Sequence, residues 1–218
     1  MSVPPPERST PFFELWDALA EPDCPICVLA RRRARQFMEN FFYEHVNDAA
    51  LRSRLRESLG FSPEALQMAA EIHDALGTSI LYAALSADVT RRLRGEVADS
   101  LSPAGACPLA ETVRSTEANY VDTFARHYRA ADLQARHAES FGLCLGHLAQ
   151  VLAALSDKSL RERLRCAEAV KYARLGEELD LFEAKNDYRN HEPFGAEVDA
   201  WQRAARKFRR PECPGRPA

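Results

Sequence analysis

The chain of 218 residues contains no apolar run approaching the ~20 residues that a helix needs to cross a bilayer. Its N-terminus, MSVPPPERSTP, has no apolar signal core. These two absences exclude a helical membrane span and a secretory leader from the reading, and the expected location is cytoplasmic. Charge of one sign is also missing: the formal net charge is only -3, too little for bulk attraction to nucleic acid or an anionic membrane. Strand-like alternation does not occur convincingly anywhere, so the expected fold class is all-α. No glycine-rich phosphate loop, HExxH or GxSxG is present, so no catalytic residue and no organic cofactor site is assigned.

What is present is helical periodicity between clear breakers. Hydrophobic residues make up 46% of the chain, enough at this length for a sizeable core that does not depend on disulfides. A first helix opens at Ser9 or Thr10 with Pro11 inside its first turn and stops near Glu21-Pro22. A long helix follows from about Cys24 to Val46, then a short one capped by Asp48 and closed by Gly60. Ser62-Pro63-Glu64 opens the next helix, with apolar spacing running on through Leu76 and, past Gly77, to Leu93. Glu96 to Ala106 reads as a linker. Cys107-Pro108 starts a second long helix, a short helix carrying Leu133 and Phe141 precedes Gly142, and another begins at GLCLGHL. The last long helix covers about Ser159 to Lys185, and a shorter one carries Trp201, Ala205 and Phe208.

The second half of this order repeats the first. Cys24 precedes Ser62 by 38 positions and Cys107 precedes Cys144 by 37, and RESLGFSPEAL lies over AESFGLCLGHL without a gap. The sequence therefore predicts an internally duplicated helical bundle. Its parts are an N-terminal arm and first helix (1–22), repeat 1 (23–95), a linker (96–106), repeat 2 (107–187), a C-terminal motif and helix (188–208) and a disordered tail (209–218).

Superimposing the repeats yields a composite template, C-P-x-C followed by C-x-x-H, which neither repeat keeps whole. Repeat 1 has Cys24 and Cys27 but Ser62 and Ala65 at the second pair. Repeat 2 has Cys144 and His147, while its first pair is Cys107 and Ala110. Three thiolates and a neutral imidazole suit a tetrahedral zinc ion. An i, i+3 spacing at a helix start aims both side chains the same way and places thiolate at the positive end of the helix.

If each repeat closed its own site, both would be damaged. If the pairs cross, Cys24, Cys27, Cys144 and His147 make one complete metal site, and Ser62, Ala65, Cys107 and Ala110 make one dead one. Crossed pairing is preferred because one lost metal then accounts for all three substitutions. An iron-sulfur cluster is the alternative cofactor, though it more commonly takes four cysteines. Against any metal stands the ordinary fate of cysteine, which is burial. A redox pair at CPIC would normally sit beside a βαβ pattern, and none is visible.

Other features carry less. The run Arg31 to Arg35 and the set Arg203, Arg206, Lys207, Arg209 and Arg210 are basic enough to contact phosphate, but no interleaved aromatics suggest base stacking. His45, His73, His127, His137 and His191 lack a spacing partner, and Cys166 reads as a core or surface thiol.

The doubled CPxC and GFCxxH-like motifs, with KNDYRNHEPFGAEVDAW from Lys185 to Trp201, resemble a bacterial family known as domain of unknown function 6062, over about residues 20 to 208. In that family both cysteine pairs and both CxxH pairs are typical, so the resemblance implies two metals, reduced here to one by Ser62, Ala65 and Ala110. It implies no activity or substrate. Lys185, Asp187, Tyr188, Arg189, Glu192 and Trp201 have two readings, a partner surface or a lock on the last helix, and the lock is favoured.

The expected function is a zinc-stabilised helical scaffold or interaction module with a protein partner. A thiol-redox protein or enzyme using CPIC is the alternative, and nucleic-acid binding through basic helix faces comes third.

Overall fold

The structure, a computed structural model, describes residues 7–97 and 101–209. The fold is all-α. Ten α-helices appear among the described residues: α1 (Thr10–Ala18), α2 (Pro25–Asn40), α3 (Ala49–Glu57), α4 (Pro63–Ile72), α5 (Ala75–Leu93), α6 (Pro108–His127), α7 (Ala131–Glu139), α8 (Leu145–Ala154), α9 (Lys158–Lys185) and α10 (Ala200–Lys207). A π-helical turn, Phe41–His45, continues α2, and a 3₁₀ turn, Ala196–Asp199, leads into α10. None of these helices is long and apolar enough to cross a membrane. The tail expected to be disordered lies, from residue 210 on, outside the described residues.

Local chemistry explains the boundaries. Asp48 accepts a hydrogen bond from the Leu51 amide at 2.8 Å and so caps α3. Asp157 does the same for α9 through the amides of Ser159 and Leu160. One break was not anticipated: His73 adopts φ 59° and Asp74 accepts from Gly77 N at 2.9 Å, so the helix opened by Ser62 ends and α5 begins afresh. The apolar spacing runs across that break, which is why periodicity alone conceals it. Phe141, expected on a helix, lies in the loop after α7 because Ser140 is already extended, at ψ 173°.

Two compact units divide the chain, residues 1–29 with 117–218, and residues 30–116; their boundaries fall inside α2 and α6. The second unit packs Ala34, Met38, Phe41, Phe42, Leu55, Phe61, Ala65, Leu81 and Leu109 around an edge-to-face pair, Phe41 and Phe61, with ring centroids 5.4 Å apart. In the first unit Leu15, Ile26, Leu29, Phe124, Tyr128, Leu143, Val151 and Leu164 form the main core. Phe124 stacks on Tyr128 at 5.2 Å and meets the edge of His137 at 5.4 Å. The first unit contains the beginnings of both α2 and α8, and its core holds Cys24, Cys27 and Cys144.

Candidate metal centre

Cys24 immediately precedes α2, and Val28 N donates to its carbonyl at 3.0 Å, so it occupies the N-cap position with Pro25 first in the helix. Cys27 follows one turn in. Cys144 is the N-cap of α8, with φ -69° and ψ 160°, and Leu148 N donates to its carbonyl at 2.8 Å. His147 again follows one turn in. The two pairs therefore present the same arrangement, an N-cap side chain and the one three residues on, at two helix starts. The Cys144 side chain makes no cap hydrogen bond to its own helix; its sulfur is turned to the other three residues.

All four candidate ligand atoms lie within 4.8 Å of one another and all four residues are buried. His147 Nδ1 sits 3.5 Å from Cys24 Sγ, 3.3 Å from Cys27 Sγ and 3.2 Å from Cys144 Sγ, and Cys27 Sγ is 3.7 Å from Cys144 Sγ. A tetrahedral zinc ion with ordinary bond lengths would separate two sulfurs by about 3.8 Å and a sulfur and nitrogen by about 3.6 Å. The four spacings just given agree with those edges to within a few tenths of an ångström. The donor set thus fits a metal ion, and the pair Cys24 and Cys27 is brought together with the pair Cys144 and His147.

Electrostatics in the cluster points the same way. Burial pushes the Cys24 thiol up, and its contacts with Cys144 and Cys27 push it further. Cys144 is driven strongly toward thiolate by hydrogen bonds from Cys24 and Cys27, and His147 adds to this. Burial opposes charge on His147, yet its contacts with Cys144, Cys27 and Glu117 outweigh that and raise it to about 11. The shifts favour negative charge on Cys144 and positive charge on His147; a metal cation would supply that positive charge directly and displace protons.

Several residues around the ligands escaped sequence reasoning. Glu117 Oε1 lies 3.4 Å from His147 Nε2, an ion-pair distance without hydrogen-bond alignment. It is placed as the carboxylate that commonly orients a metal-bound histidine. Asp23 Oδ1 accepts from Cys24 N at 2.7 Å, and Arg209 Nη1 lies 3.9 Å from Asp23 Oδ2.

The loop into Cys144 is held by a buried ionic network. Glu168 Oε1 accepts from Leu143 N at 2.6 Å and faces His137 Nε2 at 2.8 Å, and Glu168 Oε2 receives Lys207 Nζ at 2.7 Å. Burial works against the Glu168 carboxylate, but His137 and Lys207 hold its pKa below the usual value. Lys171 adds bonds to the carbonyls of Ala138 and Ser140. Gly142 completes the turn at φ +83°, and a Cβ there would lie 2.6 Å from Glu168 Oε1 and 2.8 Å from Lys207 Nζ, so only glycine fits. The C-terminal basic residues were the available signal, since four of them make contacts within the unit: Arg203 pairs with Glu178 and Asp199, Arg206 donates to Pro22 O, Lys207 is buried against Glu168, and Arg209 approaches Asp23.

In the second unit Ser62 and Cys107 meet. Ser62 N donates to Cys107 Sγ at 3.4 Å, and the Ser62 hydroxyl accepts from Ala65 N at 3.4 Å. Ala65 is fully buried. Cys166, on α9, is exposed, 3.8 Å from Glu162 Oε1. In the C-terminal motif, Lys185 binds Glu197 Oε1 and Pro193 O, each at 2.9 Å, which locks the segment to α9. Asp187 and Arg189 pair with each other at the surface, whereas Tyr188 and Trp201 are 86% and 53% exposed.

Residues 97–213 match the model of a family described as "Family of unknown function (DUF6062)". A relative from Caldicellulosiruptor sp. (strain Rt8B.4), "Uncharacterized 23.9 kDa protein in xynA 3'region", is 28% identical over 190 residues, covering 84% of this chain and 93% of the relative. No solved structure matches.

Proposed function

The chain belongs to the DUF6062 family, and from that premise, which brings no activity with it, we propose that it is a helical scaffold or interaction module stabilised by one zinc ion. Cys24, Cys27, Cys144 and His147 are the proposed ligands. The observation that carries this reading is the approach of three sulfurs to one imidazole nitrogen at 3.2 to 3.5 Å in a fully buried site. The softness of three thiolates favours zinc over calcium or magnesium, and the histidine favours it over an iron-sulfur cluster.

Such an ion contributes folding energy, not chemistry, because four protein ligands leave no open position for a substrate. Burial of Cys24 and Cys27 also speaks for a structural role over an exchangeable thiol pair, which must be reached by its partner. Tyr188 and Trp201 supply exposed aromatic surface of the kind protein partners use. The parallel order of the two halves supports descent from a duplicated helical unit, with the second metal lost at Ser62, Ala65 and Ala110.

Metal analysis of freshly purified protein tests the reading. One equivalent of zinc is expected, with three thiols that react with a thiol reagent only after a chelator is added. Metal-free protein with a rapidly reacting CPIC pair would overturn it in favour of thiol-redox work.

A further inference from the structure

The last turn of α10 touches every segment that carries a ligand. Arg206 Nη1 donates to Pro22 O at 2.9 Å, two residues before Cys24. Lys207 Nζ donates to Phe141 O at 3.0 Å, three residues before Cys144, and to Glu168 at 2.7 Å. Gly146 N, between Cys144 and His147, donates to Arg209 O at 3.1 Å. The Arg209 guanidinium approaches Asp23, next to Cys24, with Nη1 3.9 Å from Asp23 Oδ2. Three of four consecutive positions therefore hold the CPIC and CLGH turns from one side, through contacts to backbone as well as to side chains.

From these contacts we infer that residues Arg206 to Arg209 form a strap over the metal centre, so that metal binding and docking of α10 stabilise each other, with Arg209 as positioning residue for the turn from Asp23 to Cys27. The inference rests on the metal reading above. Three thiolates around a dication leave one negative charge in a buried site, and the cationic side chains of Lys207 and Arg209 beside the two turns offset it. Contacts that fix the backbone on either side of the ligands hold their orientation and slow their exchange. Reciprocity follows from thermodynamics: if the docked strap tightens metal binding, metal must tighten docking by the same factor. Trp201 lies on α10, so the surface it presents would be ordered only in the loaded protein.

Zinc transfer from full-length protein to a chromogenic chelator, together with amide hydrogen exchange over residues 200–209, tests the strap. Arg209→Ala should still purify with one zinc but release it about tenfold faster; Arg209→Lys should fall between it and wild type. Chelation of the wild type should raise exchange across α10 and at Gly146, and zinc should restore protection. One equivalent of zinc in Arg209→Ala with wild-type release overturns the strap while leaving the metal reading intact. So does loss of stability in Arg209→Ala without faster release, or α10 protection that ignores chelation. Wild-type protein without metal overturns both.

Discussion

The helix starts at Cys144 and Ser62 make an informative pair, because the backbone is nearly the same and the chemistry differs. Both residues are N-caps, at φ -69°, ψ 160° and φ -63°, ψ 161°. Each follows a glycine with positive φ, Gly142 and Gly60, and opens a helix of ten residues. At Ser62 the side chain turns back to its own helix and accepts from Ala65 N, the ordinary use of the position. At Cys144 the side chain gives up that bond and joins Cys24, Cys27 and His147. One position can serve its own helix or a shared ligand cluster, and a single atom decides which. The partner sites differ in step: where His147 stands in one, Ala65 is packed shut in the other.

The contrast can be broken most severely at the ligands. Cys144→Ser should reduce bound metal from one equivalent to none and lower the thermal midpoint of the first unit, measured by metal analysis and calorimetry. Cys107→Ser should leave both readings unchanged. Next in size is Glu168→Gln, which strands Lys207 and His137 in the interior beside the Cys144 loop. A loss of about 3–5 kcal/mol in urea unfolding is expected, as for one partner removed from a buried ion pair.

Restoring the template tests the comparison from the other side. Ser62→Cys, Ala65→His and Ala110→Cys together should raise bound zinc from one to two equivalents. Without metal this variant should be less stable than wild type, since an imidazole replaces a fully buried methyl. A smaller effect is expected for Ser62→Ala, about 1 kcal/mol from the lost cap with no change in metal.

The smallest concerns acid. Hydrogen bonds from Gly195 N and Lys185 lower the Glu197 carboxyl from its ordinary 4.5 to about 2. A depressed carboxylate contributes stability above its unfolded pKa and loses it as pH falls through the folded one. The contribution should therefore fade between about pH 4.5 and 2 in wild type and be missing at all pH values in Glu197→Gln, as read from pH-dependent unfolding.

Much of this was legible in the chain because it is written in local signals. Helices α1, α3, α6 and α9 start at Pro, Asp or Cys-Pro signals that act within a turn. The four clustered residues were legible through the pattern of losses between Cys24 and His147, where the spacing within each half is the only information needed. The break at His73-Asp74 was hidden by continuous apolar spacing. Glu117, Glu168, Lys207 and Arg209 were hidden for a different reason. Their roles depend on which chain segments meet, and a charged residue on a helix looks the same in sequence whether it faces water or a buried carboxylate. The basic C-terminal run looked like a phosphate grip for that reason.

The ligand cluster also has a consequence in time. Cys27 and Cys144 are separated by 117 positions and Cys24 and His147 by 123. At ordinary synthesis rates CPIC emerges roughly ten seconds before its other half exists. During that interval two thiols at a helix start are open to any metal or oxidant in the surroundings, and no intramolecular partner can shield them. The nascent chain thus passes through a vulnerable stage that the finished protein does not have, and it ends only when CLGH has been made.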